Sequence, residues 1–447
     1  MTRFLLFSLA LTAAAVSASA QTAPVTRGVF VGNQGRPATL TFLDRAAGTA
    51  APVAGIPLAG FLQSTEVMNG RLYVTGNGGR IDVVDPATRQ RVAQIADPAF
   101  ASARYFVRAT PTKAYVTTQN YAAGATTADV VVLNLTTNTV AGRVAVPAYA
   151  PETLALAAGR VYVSLAAFGG ETRLAVIDPA TDALLAPVEI GCVARFVLAD
   201  DDGEVFAVCT STNEIVVVNG ATGTVTARVA AGEPLGSAFG IGQDATLGRA
   251  TFGVGVPVEL LSVVSASGVR FFDTDTHAFF LRLEVPDAAA RPISAVGFDP
   301  QRQEFVLGRP DATGPFSANG TVTVYGLSGA LVATYPAGIF PSHVSVDAVG
   351  STAGEAGPAA GTLRLDAPAP NPTAGPAEIR FALAAPADVT VTVLDALGRE
   401  VARLASGAFA AGEHRVAADL HGVPAGVYVV RLAAGASVET RRLTVAR

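Results

Sequence analysis

The chain has 447 residues, of which 50% are hydrophobic and 15% charged, with a formal net charge of −5 at pH 7. A single lysine, Lys113, and scattered arginines exclude the clustered positive charge that nucleic-acid binding requires. Frequent glycine, proline and valine, with few helical patterns, predict an all-β protein.

The first twenty residues have the pattern of a cleavable signal peptide. Arg3 supplies one positive charge, residues 4–16 carry none, and residues 18–20 (Ala-Ser-Ala) form a small-residue cleavage site. The apolar run is shorter than the roughly 20 residues of a membrane-spanning helix, and no later run is longer. We therefore predict export, removal of residues 1–20, and no transmembrane segment in the mature chain.

A repeated phrase then runs along residues 28–346. Its clearest copy reads Leu-Tyr-Val-Thr at residues 72–75 and Val-Asp-Pro-Ala-Thr at residues 84–88. Proline favours a type I turn, and an Asp or Asn before it accepts backbone N–H groups. The turn recurs near residues 44, 85, 134, 178, 219, 273 and 325. Each unit reads as four short strands, and repeats of this length are typical of β-propeller blades.

Two further patterns support a propeller. Strands such as residues 129–133 and 215–218 are apolar on both faces, as expected for sheets packed between neighbouring sheets. Residues 342–346 look like the first strand of another unit, whereas the unit that begins at residue 28 lacks one. We predict that these two segments pair and close the ring, which protects its edges.

The repeat at residues 72–77 and 84–88 resembles the YVTN or YncE-like family of seven-bladed β-propellers. The resemblance implies a seven-bladed β-propeller at residues 21–347, and its motifs are structural, so they imply no activity. Six or eight blades stay compatible with the pattern, because units three, six and seven carry insertions.

Residues 348–362 contain no strand pattern and read as a flexible linker. After the linker, residues 363–447 contain about seven short strands, including residues 377–383 and 389–394, which predict a small Ig-like β-sandwich. The fold class is therefore all-β: a propeller followed by a sandwich.

The terminal domain carries an ordered set of short motifs. The residues that define them are Pro370, Asn371, Pro372, Gly398, Arg399, Gly426 and Tyr428. Their order resembles the type A C-terminal sorting domain of type IX secretion cargo. The resemblance implies recognition by the secretion machinery of a Bacteroidota-like bacterium. It also implies removal by a surface sortase that can attach cargo to lipopolysaccharide, so the protein is secreted or displayed on the outer membrane. An Ig-like domain with a local binding role is the alternative.

Residues that could carry chemistry are few. His277, His343, His414 and His421 have no metal-ligand spacing, and we expect them in turns or on the surface. The chain has no tryptophan to stack on a quinone, no Gly-x-Ser-x-Gly motif and no complete dinucleotide loop. The sequence therefore predicts no cofactor, no metal and no catalytic residue.

An acidic run and a cysteine pair remain. Residues 200–204 (Asp-Asp-Asp-Gly-Glu) could supply oxygens to calcium, but in the repeat they fall at a tight turn, which we favour. We expect Cys192 to open the first strand of the fifth unit and Cys209 to end the second, across this turn. An exported protein meets an oxidising compartment, so we predict a disulfide. Two buried free thiols are the alternative.

Together these features predict a non-enzymatic binding protein whose propeller loops contact a glycan, peptide or protein. The irregular insertions at residues 119–128, 236–257 and 309–320 are the expected contact regions. A lactonase-like hydrolase or lyase is the alternative, and it would need acidic, amide or histidine side chains that converge on the central channel.

Overall fold

A computed structural model describes residues 25–349 and 363–446, apart from residues 59, 166–170, 240, 253–255, 367, 372, 374, 384, 395–399, 425 and 435–436. Within these residues the chain forms 36 strands and one short 3-10 helix, Pro98–Ser102, so it is all-β. The predicted signal peptide lies outside the described residues. No helix in the described part of the chain is both long and apolar enough to cross a bilayer.

The first 29 strands lie between Val25 and Val349. They are β1 (Val25–Asn33), β2 (Thr39–Asp44), β3 (Thr49–Pro52), β4 (Leu62–Met68), β5 (Arg71–Gly76), β6 (Arg80–Asp85), β7 (Gln90–Ala96), β8 (Ala103–Thr110), β9 (Lys113–Thr118), β10 (Ala128–Asn134), β11 (Thr139–Val146), β12 (Leu154–Ala157), β13 (Arg160–Ser164), β14 (Arg173–Asp178), β15 (Ala183–Leu184), β16 (Val188–Glu189), β17 (Ala194–Ala199), β18 (Glu204–Cys209), β19 (Glu214–Asn219), β20 (Thr224–Ala230), β21 (Ala245–Phe252), β22 (Val256–Ser265), β23 (Gly268–Asp273), β24 (Ala278–Glu284), β25 (Ala295–Asp299), β26 (Glu304–Arg309), β27 (Asn319–Gly326), β28 (Leu331–Ile339) and β29 (Pro341–Val349).

These strands form seven antiparallel sheets within the described residues. Their strand orders are β29-β1-β2-β3, β4-β5-β6-β7, β8-β9-β10-β11, β12-β13-β14-β15 with β16 beside β14, β17-β18-β19-β20, β21-β22-β23-β24 and β25-β26-β27-β28. The first strand of each sheet contacts the first strand of the next, in the cycle β4, β8, β12, β17, β21, β25, β29 and back to β4. Such a cycle of small sheets around a centre is a propeller-like fold.

The repeated turn explains why the sheets resemble one another. Asp85, at the end of β6, accepts N–H bonds from Ala87 and Thr88 at 3.0 Å through its carboxylate. Asn134 and Asn219 occupy the same place at the ends of β10 and β19 and accept equivalent bonds. The strands before these turns are buried on both faces, as the sequence predicts, because each sheet packs against sheets on two sides.

The ends of this region pair with each other. As predicted, β29 lies antiparallel to β1, with Val346 opposite Val29 and Val349 opposite Val25. The strand is longer than expected: residues 348 and 349, which we assigned to the linker, still pair with β1. The rest of the predicted linker lies outside the described residues.

The C-terminal region forms seven strands within its described residues. They are β30 (Arg364–Leu365), β31 (Ala377–Leu383), β32 (Ala387–Leu394), β33 (Glu400–Phe409), β34 (Gly412–Ala418), β35 (Gly426–Ala434) and β36 (Ser437–Val445). They make two sheets, β30-β31-β34 and β33-β32-β35-β36. Ile379 and Phe381 of the first sheet and Val391 and Leu432 of the second belong to one hydrophobic core, so the two sheets pack together.

Candidate functional site

The seven innermost strands surround a channel. A cavity of about 920 Å³ runs along them, lined by residues that include Glu66, Tyr105, Leu198, Gln243 and His343. Side chains from the starts of these strands meet at one end of the channel, which we call the mouth. Gln243 and His343 line the cavity at this end, whereas Arg104, Glu152, Arg195 and Asp244 are not part of its lining. A cavity of this size, with apolar walls and polar groups towards both of its ends, suits a ligand.

Arg104 and Glu152 form the first ion pair at the mouth. The guanidinium donates to both carboxylate oxygens at 2.9–3.1 Å. Gln119 donates to the same carboxylate at 3.1 Å, and Gln63 contacts Arg104. The Tyr121 hydroxyl donates to Gln119, so residues from three sheets and one insertion form a single network. A bidentate pair of this kind has a fixed geometry.

Arg195 and Asp244 form the second pair. Arg195 donates to Asp244 Oδ2 at 2.7 Å and to the Gly242 carbonyl oxygen at 3.2 Å. Asp244 is fully buried, and burial raises its pKa to about 6 although Arg195 favours the ionised form. Its other oxygen, Oδ1, has no hydrogen-bond partner among the described residues.

His343 lies between the two pairs, which corrects our expectation of a surface or turn residue. Its side chain is buried but lines the channel. Ser342 Oγ lies 3.3 Å from the Gly32 carbonyl oxygen and 2.9 Å from His343 Nδ1. If Ser342 donates to Gly32, Nδ1 carries the proton and Nε2 is an acceptor, which has no partner among the described residues. Burial, with the charges on Arg104 and Arg195, lowers the pKa of His343 to about 3, so the ring is neutral.

These residues were missed by the sequence analysis, although a signal was present. Arg104, Glu152, Arg195, Asp244 and His343 each stand within three residues of the start of an innermost strand. A polar residue that recurs at one place in otherwise apolar repeats could have identified the mouth. The two residues of each ion pair lie about 50 positions apart in sequence, so no local motif links them.

The predicted insertions are also at the mouth. The insertion at residues 119–128 connects β9 to β10, and the insertion at residues 309–320 connects β26 to β27. Each therefore connects the second strand of its sheet to the third. The segment that ends at residue 244 leads into β21, the first strand of its sheet. The insertion predicted at residues 236–257 is shorter than expected, because residues 245–252 form β21, and residues 253–255 are outside the described residues. Two of the insertions therefore meet the charged network that the innermost strands supply.

The acidic run lies at the opposite end of the channel, in the turn between β17 and β18. Asp200 accepts the Glu204 N–H at 2.8 Å, and Asp201 pairs with Arg249 at 2.7 Å. Burial raises the pKa of Asp200 to about 8. Among the described residues no group of three or more His, Cys, Asp or Glu side chains is arranged to hold a metal ion. The bond between Asp200 and the Glu204 N–H is a contact within the turn.

The two cysteines lie on the mouth side of the same sheet. Cys192 stands two residues before β17, not within it, and Cys209 ends β18. Their Cα atoms are 5.8 Å apart and the structure joins their sulfurs. Both side chains are buried in the core between the fourth and fifth sheets.

The described residues of the sorting motif hold the terminal domain together. Asn371 donates to the Arg442 carbonyl oxygen at 3.0 Å and accepts the Thr444 N–H at 2.7 Å, which ties the start of the domain to β36. Pro370 precedes it, and Gly426 opens β35. The Tyr428 hydroxyl donates to the Pro424 carbonyl oxygen at 2.9 Å. Pro372, Gly398 and Arg399 lie outside the described residues.

The fold and the mouth define an all-β, propeller-like protein with a separate C-terminal β-domain. Residues 369–446 match the family described as "Secretion system C-terminal sorting domain". This match supports secretion or surface localisation through the type IX system, and interaction with its machinery. Residues 53–248 match a domain of unknown function, DUF5074.

Comparisons with individual proteins add little to these matches. No curated protein matches the chain. A protein of unknown function from Bacteroides caccae has 13% identity and a TM-score of 0.41, covering 72% of this chain and 99% of that one. Dihydro-heme d1 dehydrogenase NirN, solved with DHE, has 14% identity and a TM-score of 0.47, covering 70% of this chain and 74% of its own. Similarity at this level does not extend to a ligand or an activity.

Proposed function

We propose that the protein is an exported binding protein that recognises its ligand at the mouth of the channel. In this proposal the seven sheets are the blades of a YncE-like propeller closed by β29, and the terminal domain is an Ig-like sandwich. Residues 1–20 direct export to the periplasm, and the terminal domain then serves as the sorting signal, which a surface sortase removes. The propeller is either released or attached to lipopolysaccharide.

One observation carries the binding proposal: the insertions and a buried network of paired charges meet at the same end of the channel. Polar groups that are held in place before a ligand arrives reduce the entropy lost on binding. Both carboxylates at the mouth are already neutralised by arginines, and neither is arranged as a free general base. These features favour recognition over catalysis.

The test compares two exposed apolar residues. Phe316 lies in an insertion at the mouth, and Leu331 lies at the start of an outermost strand. The full chain is immobilised and exposed separately to polysaccharide, peptide and protein fractions of the host envelope and culture fluid. We expect Phe316→Ala to reduce retention of one fraction and Leu331→Ala to leave it unchanged. Equal retention by both variants would reject the mouth as the binding site.

A hydrolase or lyase is the second candidate, and Glu66 favours it. Its side chain is exposed to the channel, where desolvation by the surrounding protein raises its pKa to about 7, a value suited to proton transfer at neutral pH. Incubation of the retained fraction with the wild-type chain and with Glu66→Gln separates the candidates. Breakdown by the wild type alone would establish catalysis, and an intact ligand with both would favour binding.

A further inference from the structure

Three aromatic rings form a cluster at the mouth. Phe316 stacks on Phe340 with ring centres 4.6 Å apart and planes 14° apart. Phe239 contacts both rings edge-on, at 5.8 and 5.1 Å. Phe340 is fully buried, whereas Phe316 is 59% exposed. One side of the Phe316 ring is therefore supported by the protein, and much of the remainder is open to solvent.

This aromatic cluster adjoins the polar network along the chain. Phe340 stands three residues before His343, and Phe239 stands four residues before Gln243, both of which line the channel. Gln243 accepts the Val344 N–H at 2.8 Å, which joins the two segments. The mouth thus presents an apolar ring surface that packs on two segments, and these segments also carry the amide of Gln243, the carboxylate of Asp244 and the imidazole of His343.

The charges at the mouth favour an uncharged ligand. Arg104 is paired with Glu152 and Arg195 with Asp244, so the two pairs sum to zero. An anion would have to compete with carboxylates that already hold both arginines. His343 borders the channel, and its Nε2 has no partner among the described residues. In the tautomer in which Nε2 is an acceptor, it needs a hydrogen-bond donor such as a hydroxyl group.

We propose that the mouth binds a neutral oligosaccharide. One sugar ring stacks on Phe316, and hydroxyl groups of the oligosaccharide bond to the polar network. Sugar rings have an apolar face of C–H groups that packs on an aromatic ring, and hydroxyls around the edge that pair with planar amide and carboxylate groups. An apolar peptide would match the ring but would leave His343 Nε2 without a hydrogen-bond donor. This inference rests on the proposed function and specifies its ligand class.

The experiment measures binding of the full chain to immobilised oligosaccharides of neutral glucan, mannan and galactan, with polygalacturonate as the charged counterpart. We expect binding to at least one neutral polymer and weaker binding to polygalacturonate. Phe316→Ala should weaken binding about tenfold, as loss of a central aromatic contact does. Phe316→Tyr should keep it, and Leu331→Ala, which removes a side chain that is 56% exposed, should leave it unchanged. Thermal unfolding of each variant excludes a general loss of folding.

The outcomes separate this inference from the proposed function. If only a peptide or protein fraction depends on Phe316, the mouth is a binding site but the carbohydrate inference is wrong. If polygalacturonate binds more tightly than every neutral polymer, the argument from charge is wrong. If no ligand depends on Phe316, both proposals fall.

Discussion

Burial acts in opposite directions on two ionisable residues of the channel. It raises the pKa of Asp200 and lowers that of His343, because in each case the charged form loses hydration. Asp200 retains a bond from the Glu204 N–H, which only partly offsets this loss. Both groups should therefore be neutral near pH 7. The ordinary pKa of an aspartate is lower than the value of Asp200, and the ordinary pKa of a histidine is higher than the value of His343.

Asp200→Asn should reveal the buried carboxyl through the pH dependence of stability. Between pH 4 and 8 the folded chain keeps a proton that the unfolded chain has lost, so wild-type stability falls as pH rises. Asparagine can accept the same turn bond but does not titrate. The free energy of unfolding of the variant minus that of the wild type should increase from pH 5 to 9 by about 4 kcal/mol, since each pH unit below the folded-state pKa contributes about 1.4 kcal/mol. Urea denaturation at each pH measures it.

Asp311→Asn is the matched control, because Asp311 also accepts N–H groups in a turn but is partly exposed and has a lowered pKa. Asp311 titrates below pH 5. The free energy of unfolding of Asp311→Asn minus that of the wild type should therefore stay constant from pH 5 to 9. A constant difference for Asp200→Asn as well would contradict the burial argument.

Asp244→Asn should destabilise the protein by about 3 kcal/mol, because it leaves the Arg195 charge without its carboxylate in a buried position. The double variant Arg195→Met with Asp244→Asn removes that charge and should recover part of the loss. Urea denaturation of both variants checks this expectation. A double variant that is no more stable than the single one would show that the ion pair is not the cause.

Sequence patterns predict contacts between residues that are close in sequence, but they do not predict the network at the mouth. The bonds made by Asp85 and Asn134 follow from four consecutive residues, which is why the turns were predictable. The pairs Arg104–Glu152 and Arg195–Asp244 join different sheets, and whether they meet depends on how the sheets pack. The buried position of His343 was missed for the same reason.

At the level of elements, strands with a strict pattern were the most predictable. Residues 377–383 alternate between apolar and polar side chains, and β31 has those same bounds. The end of β29 was misplaced because Ala348 and Val349 precede a glycine-rich stretch, and only their pairing with β1 keeps them in the sheet. Pairing with a distant strand is not visible in local sequence.

Loss of the proposed disulfide should lower the free energy of unfolding by about 3 kcal/mol. The bond closes a loop between residues that are 17 apart, which restricts the unfolded chain. Replacement of both cysteines by alanine, compared with the oxidised wild type in urea, measures the effect. Two free thiols in denatured protein that has not been reduced would reject the disulfide.

The pairing of β29 with β1 predicts a sharp limit for truncation. A chain of residues 21–349 should be soluble and unfold cooperatively, whereas residues 21–340 should aggregate. The shorter chain lacks the innermost strand of the first sheet and exposes the edge of β1. Gel filtration and thermal unfolding of the two chains provide the test. Equal behaviour would mean that β29 does not close the ring.

At the scale of the whole molecule, the C-terminal family match supports delivery outside the cell. The intact mass of native protein from the cell surface and the culture fluid tests delivery and processing together. We expect a chain that begins at Gln21 and ends between residues 349 and 363, with extra mass if a lipopolysaccharide anchor is attached. A chain that still reaches Arg447 and remains in the periplasm would contradict the sorting proposal.

The position of β29 also determines how the propeller-like region responds to mechanical load. The chain passes from Val349 towards the sorting domain, so tension along the connecting segment reaches the ring through β29. Val349 lies opposite Val25, so both ends of this region leave the ladder on the same side. A force that pulls the two ends apart therefore loads the hydrogen bonds one after another, as in a zipper, rather than all at once. The bonds that close the ring are thus the first to open under such a force.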